Sequence, residues 1–273
     1  MTHAPLICRR MSRRPSTVLA IDTATELCSV AVLHGDDITE LVESVGNRHS
    51  ERVLPMVDAA LSKACLSLAD IDLFAFGAGP GSFTGLRIAC GIAQGLAYGR
   101  RKQVVPIGNL RALAAGTFLG VADGTLLLAA IDARMNEAYC AIYRRDLHVT
   151  EIRAPALERP QSLVQLAAER AVDIVAGNAL ATFSGVWPED TPWITLPDAT
   201  SSAASIAILG RLDASQGRAV APAHAAPIYV RDHVALTIEE RQHKKVRSAA
   251  TGGTSSDRAA PHITSSHGAR EPQ

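Results

Sequence analysis

Asp72-Leu-Phe-Ala-Phe76 runs into Gly77-Ala-Gly-Pro-Gly-Ser-Phe-Thr-Gly85 and then into Leu86-Arg-Ile-Ala-Cys-Gly-Ile-Ala-Gln-Gly-Leu-Ala-Tyr98. The order is a short apolar strand, a glycine-rich turn and a helix over 86–98. At about 100° per residue, Arg87, Gln94 and the Tyr98 hydroxyl share one narrow polar strip. Every other position is Leu, Ile, Ala, Cys or Gly. A surface helix lying on a sheet needs one apolar stripe, so this helix has to be covered on a second side. Gly91, Gly95 and Gly99 recur at every fourth residue, each costing about 1 kcal/mol of helix propensity against Ala. Bare helix surface there points to close backbone approach by another element. The segment alone leaves two readings level: a central helix of its own fold, or a partner interface.

The chain of 273 residues has room for one large or two small domains, and 47% hydrophobic with 20% charged residues is ordinary for a globular protein. No apolar run approaches the ~20 residues that cross a bilayer, so no membrane role is expected. Residues 1–16 carry Arg9, Arg10, Arg13 and Arg14 and no acid, and lack a signal-peptide core. They read as a disordered basic arm or an upstream start-site artefact. The tail, 241–273, has six basic and two acidic residues and reads as disordered. The body between 17 and 240 then holds 17 basic against 25 acidic residues. Such an acidic body is a poor nucleic-acid surface, because neutralising phosphates needs clustered Lys and Arg. Cys8, Cys28, Cys65, Cys90 and Cys140 form no C-x-x-C, and four lie in apolar patterns as small hydrophobes. Nothing asks for disulfides, and the cytoplasm is the expected setting.

Working outward from the glycine turn, strands 18–22 and 29–34 form a hairpin around Thr23-Ala-Thr-Glu26, with a third strand over 39–45. Ser50 is placed to cap a helix running to about Leu68. On that helix Val53, Leu54, Met56, Val57, Ala60, Leu61, Ala64 and Cys65 fill about half the circumference, again more than one face needs. The second half repeats the theme. It has a helix over 110–118, a hairpin of 125–131 with 138–144, a helix over 162–171 and a strand over 173–176. A Ser-capped helix over 203–215, closed by Gly217, and a last ordered segment, Pro227-Ile-Tyr-Val-Arg231, complete it. Two α/β halves, each starting from a hairpin with an Asp at its turn (Asp22, Asp132), suggest an internal duplication.

Strand, glycine turn and helix is also the arrangement that cradles phosphates. Gly77–Gly85 has no Walker Lys-Ser/Thr, places Ser82 where G-x-G-x-x-G needs its third Gly, and is not G-x-S-x-G. A helix N-cap accounts for Ser82 or Thr84 without catalysis. The histidines include no H-x-x-x-H, and His49 reads as a capping or surface group at a helix start. Asp36-Asp37 and Asp70/Asp72 read as loop acids. Asp22 and Asp132 are the best candidates for something specific, and a turn-stabilising Asp is the simpler account of each.

Ala20-Ile-Asp-Thr-Ala-Thr-Glu-Leu-Cys-Ser-Val-Ala-Val32, His49-Ser-Glu-Arg-Val-Leu-Pro-Met56, Gly77 to Arg87, Ala130-Ile-Asp-Ala-Arg134 and Pro227 to Arg231 together resemble the TsaB (YeaZ) family. The resemblance spans about residues 17–235. It implies an actin-like, duplicated ribonuclease-H α/β fold: an N-terminal subdomain over 17–105 carrying the partner-binding helices, and a C-terminal one over 106–240. It implies a non-catalytic scaffold in the machinery that makes N6-threonylcarbamoyladenosine at position 37 of tRNAs reading ANN codons. In that family the scaffold pairs with the catalytic paralogue TsaD, TsaE docks on the pair, and a separate synthase supplies threonylcarbamoyl-adenylate. Alone, such proteins self-pair through the same face, and tRNA is met only through the complex. The implied interface is Val53, Met56, Val57, Ala60 and Ala64 on one helix, with Ile88, Gly91, Ile92, Gly95, Tyr98 and Gly99 on the other. That resolves the level readings of helix 86–98 in favour of an interface.

TsaD-like proteins carry a His pair just after the glycine-rich helix, whereas Pro106–Gly116 has neither His nor acid. In kinase and actin relatives a Gly follows the first Asp by two residues; here Ala24 and Arg134 stand there, adding side chains where phosphate would sit. Asp22, Gly79, Gly81 and Asp132 are therefore vestigial phosphate-loop candidates, and no cofactor or metal is expected. Two enzyme readings compete: an ATP-dependent phosphotransferase using Asp22 and the glycine loop, and a peptidase, for which the sequence offers no metal set and no activated nucleophile.

Overall fold

The structure, a computed structural model, describes residues 17–231; the basic arm at 1–16 and the tail at 241–273 lie outside the described residues. Its first strand, β1 (Thr17–Asp22), is buried along its whole length. It forms an antiparallel meander with β2 (Leu27–His34) and β3 (Asp37–Ser44). α1 (His49–Lys63) follows, then β4 (Leu73–Gly79), parallel to β1. α2 (Phe83–Arg100) leads to β5 (Gln103–Gly108), parallel to β4, and to α3 (Asn109–Thr117). The second half runs β6 (Leu126–Asp132), β7 (Ala138–Arg145), β8 (Val149–Glu158), α4 (Pro160–Glu169), β9 (Ile174–Ala176), α5 (Ala179–Thr182), β10 (Ile194–Leu196) and α6 (Ala203–Ser215). The two five-stranded sheets have the orders β3-β2-β1-β4-β5 and β8-β7-β6-β9-β10. Written that way they correspond strand for strand, with the same pattern of antiparallel and parallel neighbours. This is the duplicated ribonuclease-H topology expected from the sequence.

Alternation along β1 explains why it reads as a continuous apolar run. Leu19 and Ile21 face a core shared with α1 and α2, containing Val53, Met56, Phe74, Phe76, Ala89 and Ala93. Val18 and Ala20 face the opposite side, where Ile206, Ala207 and Leu209 of α6 cover them. With both faces buried, no polar position is left to mark the period of two. In the second sheet, Leu163 and Ala167 of α4 and Trp193 cover one face. Leu110, Leu113 and Ala114 of α3 cover the other. The third helix of each half is thus exchanged: α3 leaves the first sheet to lie on the second, and α6 returns to the first. A boundary at 105/106 falls inside β5, and the repeat changes over between Thr117 and Leu126.

Several local expectations are corrected. Ser50 does not cap α1, which starts at His49 after Arg48 with no side-chain cap, and the helix ends at Lys63. His49 is no surface group: it is buried, and its Nε2 has no partner. Of the four apolar-context cysteines, Cys28, Cys90 and Cys140 are buried, but Cys65 is exposed in a left-handed conformation just beyond α1. Strands β5, β8 and β10 are not predicted by the sequence pattern. β5 carries Pro106 and β8 carries Pro155, residues that demote a strand by pattern but are tolerated at sheet edges.

The return of α6 depends on a close approach at Gly210, where an added Cβ would sit 2.8 Å from the Ala75 Cβ on β4. Gly210→Val is expected to destabilise the fold by about 1–3 kcal/mol or more through overpacking. Urea denaturation followed by circular dichroism would show this as a lower midpoint. An unchanged midpoint would mean that α6 does not lean on β4.

Candidate partner face and closed glycine loop

The Asp22 carboxylate sits where β1 ends, out of water. It accepts hydrogen bonds from the Ala24 N–H at 3.0 Å, from Asn109 Nδ2 at 3.0 Å to each oxygen, and from the Ser201 hydroxyl. Burial dominates its titration and raises its pKa, while these hydrogen bonds pull the other way. The turn-stabilising reading of Asp22 holds at Ala24. Asn109, the first residue of α3, and Ser201, just before α6, were not singled out in the sequence. Nothing in their local pattern marks them, because each meets Asp22 only through the fold.

The glycine loop closes onto the same centre. The Gly79 N–H donates to Asn109 Oδ1 at 2.7 Å, and the Ser82 N–H donates to the Ala24 carbonyl at 2.7 Å. Ser82 is the N-cap of α2, its hydroxyl accepting from the Gly85 N–H, as its position predicts. Gly85 is required by contact: a Cβ there would lie 1.8 Å from the Thr23 carbonyl oxygen, and the Thr23 hydroxyl donates to the Gly85 carbonyl. Gly81 is backed against Ala24, and Gly79, at φ +124°, against the Ile228 carbonyl. The Gly79, Ser82 and Gly85 N–H groups of the loop are thus engaged within the chain. Asp132 sits apart at the other hairpin, where its Oδ1 accepts from the Arg134 N–H at 2.8 Å. Among the described residues no group of three or more His, Cys, Asp or Glu is placed to hold a metal ion.

The helix faces divide differently from the sequence expectation. Val53, Met56, Val57 and Ala60 belong to the chain's own core and are at most 2% exposed. The wide apolar arc of α1 is therefore filled from within, by the sheet and by α2. Ala64 is half-buried, and Leu54, Pro55 and Ala59 are the apolar α1 residues that reach solvent. On α2, Ala89, Cys90, Ala93 and Ala97 face inward. The polar strip is divided: Gln94 Nε2 donates to the Pro222 and Ala225 carbonyls, and Arg87 Nε to the Tyr229 hydroxyl, whereas Tyr98 is 77% exposed. The residues leading to Val230 thus form a strap along one flank of α2. The opposite expectation, close backbone approach at the glycine row, is not met inside this chain. Gly91, Gly95 and Gly99 are exposed, and a Cβ on any of them would have nothing within 4 Å. Ile88 and Ile92 lie half-buried beside them. A separate apolar cleft of about 830 Å³ opens between α3, α6 and the β7–β8 turn, away from the loop.

The two corresponding five-stranded sheets with their exchanged helices define a duplicated ribonuclease-H-like α/β protein. Residues 43–240 match the family described as "TsaD: tRNA N6-adenosine threonylcarbamoyltransferase". The chain is 36% identical over 237 residues to the tRNA threonylcarbamoyladenosine biosynthesis protein TsaB of Escherichia coli, covering 80% of this chain and 96% of that protein. It is 51% identical to the TsaB protein of Haemophilus influenzae over 124 residues, 45% of this chain and about half (52%) of that relative. The solved structure of YeaZ from Pseudomonas aeruginosa superposes with a TM-score of 0.71 at 32% identity, covering 78% of this chain and 99% of that one. The chain belongs to the TsaB (YeaZ) family.

Because the Asp22 pKa is raised in the folded state, the protein binds that proton more tightly than the unfolded chain does. Its contribution to stability is most favourable below the unfolded pKa of ~3.9 and declines as pH rises toward the folded value. Asp22→Asn, which cannot ionise, is therefore expected to be most destabilising at pH 4 and less so at pH 7. Urea titrations of both proteins at the two pH values would test this. A penalty that grows with pH would reverse the assigned sign.

Proposed function

We propose that this chain is the non-catalytic scaffold subunit of the complex that transfers threonylcarbamoyl to N6 of adenosine 37 in tRNAs reading ANN codons. Membership of the TsaB family supports the role in tRNA threonylcarbamoyladenosine biosynthesis. In this reading the open face of α2, with the solvent-facing edge of α1, pairs with a TsaD-type catalytic subunit, and TsaE docks on the pair. Without that partner, two copies of the chain use the same face. The complex works in the cytoplasm, and tRNA is held by the partner rather than by the acidic body of this chain.

The observation that carries the reading is the glycine row. Three helical glycines, Gly91, Gly95 and Gly99, give up helix propensity yet meet nothing in their own chain. Such a bare, apolar-flanked surface lets another helix approach backbone to backbone. The scaffold assignment is supported by the state of Asp22, whose lone pairs are taken by Ala24, Asn109 and Ser201. A carboxylate so engaged is poorly placed to act as a base or to hold a magnesium-bound water.

Gly95→Leu separates folding from pairing, because the added side chain enters open space in the monomer. The variant is expected to keep the parental melting temperature within a few degrees. Its affinity for the TsaD-type subunit of the same cell should fall by about tenfold to a hundredfold, through a clash of about 1–3 kcal/mol. Light scattering behind size exclusion would report a heterodimer for the parent and separate monomers for the variant. Equal pairing by both proteins would refute the glycine row as the contact.

A further inference from the structure

Two motifs not absorbed by the scaffold reading meet at one place: the glycine loop and Pro227-Ile-Tyr-Val. The Ile228 N–H donates to the Ala78 carbonyl at 2.7 Å, drawing the strap over the loop. The Phe83 and Tyr229 rings then lie 5.7 Å apart at 36°. The Arg87 guanidinium stacks 3.8 Å above the Phe83 ring, and its Nε donates to the Tyr229 hydroxyl at 3.1 Å. Despite these mutual contacts, the cluster is open to solvent: Phe83 is 45%, Ile228 45% and Tyr229 44% exposed. It places three large apolar side chains and a held cation on one surface.

We infer that this cluster extends the partner face, and that Arg87 receives a carboxylate of the partner protein there. The inference rests on the proposed pairing through α2. Helical geometry makes the two surfaces continuous: at about 100° per residue, Arg87 lies between the strap flank (Cys90, Gln94) and the glycine row, about 40° from Gly91. Charge indicates what it meets. α2 contains Arg87 and Arg100, is capped by Arg101, and carries no acid. Among the described residues Arg87 forms no ion pair, although the body between 17 and 240 has eight more acids than bases. A guanidinium fixed by an aromatic face and a phenol keeps its remaining N–H donors presented in one geometry, which suits a bidentate carboxylate. Tyr, Phe and Arg together are the composition of interface anchor points. A stacked nucleobase is the competing occupant, since aromatic rings with Arg also bind single strands. The acidic body disfavours it.

The test measures pairing of the full chain with the TsaD-type subunit of the same cell at low and high salt, for the parent, Arg87→Gln, Arg87→Glu and Tyr229→Phe. Melting curves accompany each variant, and binding of fluorescent tRNA by the chain alone is measured in parallel. Arg87→Gln is expected to weaken pairing about tenfold at low salt and Arg87→Glu more, the gap closing at high salt as the charge is screened. Tyr229→Phe, which frees the guanidinium while keeping the ring, should weaken pairing less than either. If Gly95→Leu abolishes pairing while the Arg87 variants pair like the parent, this inference fails and the scaffold reading survives. If Gly95→Leu also pairs normally, the scaffold reading itself fails. Equal losses for Gln and Glu, independent of salt, would mean that Arg87 only clamps the strap. Loss of tRNA binding with unchanged pairing would assign the cluster to a nucleobase. Each of these results overturns the carboxylate contact.

Discussion

The buried carboxylate of Asp22 ties segments far apart in this chain to one another. It ends the first strand, and its partners arrive from the β1–β2 turn, from the start of α3 and from Ser201, two residues before α6. Through Asn109 it also holds Gly79 of the glycine loop. One side chain therefore joins the first strand to both exchanged helices and to the loop that launches α2. Leaving any of these groups unpaired out of water costs on the order of 1–3 kcal/mol, so the knot specifies a single arrangement of the two halves. The Gly79 and Ser82 N–H groups of the glycine loop are spent on these internal contacts.

That cohesion explains why α2 can carry an open face. Its inner side is seated on the sheet by alanines and Cys90, its N-terminus is pinned at Gly85 against Thr23, and one flank is tied by the strap through Gln94. Held at three places, the helix does not need its outer residues for stability. The glycine row can then stay bare, at the propensity cost that bare helix carries. The small residues are divided around the helix circumference: alanine inward, the glycine row outward.

Much of the fold was legible in the chain. Both hairpins, the Ser202-capped α6 and the duplicated order follow from period and capping, because they are local signals. The edge strands β5 and β8 were not, since each contains a proline that only sheet position makes acceptable. The candidate face was half legible. Glycine spacing marked α2, but the wide apolar arc of α1 means burial in its own chain, with Val53, Met56, Val57 and Ala60 turned inward. Periodicity counts apolar positions and does not say which surface covers them. Asn109 and Ser201 were invisible for a related reason: they lie 87 and 179 residues from Asp22, and polar knots between distant segments leave no local pattern.

The central claim is that the open face of α2 is where a second subunit sits. Hydrogen–deuterium exchange with mass spectrometry, on the chain alone and saturated with the TsaD-type subunit of the same cell, tests it directly. The account predicts that peptides covering residues 84–99 exchange more slowly in the complex, while the hairpin around Asp132 is unchanged. A stable complex whose protection falls on that hairpin or on the cleft beside α6, leaving 84–99 unchanged, would contradict it.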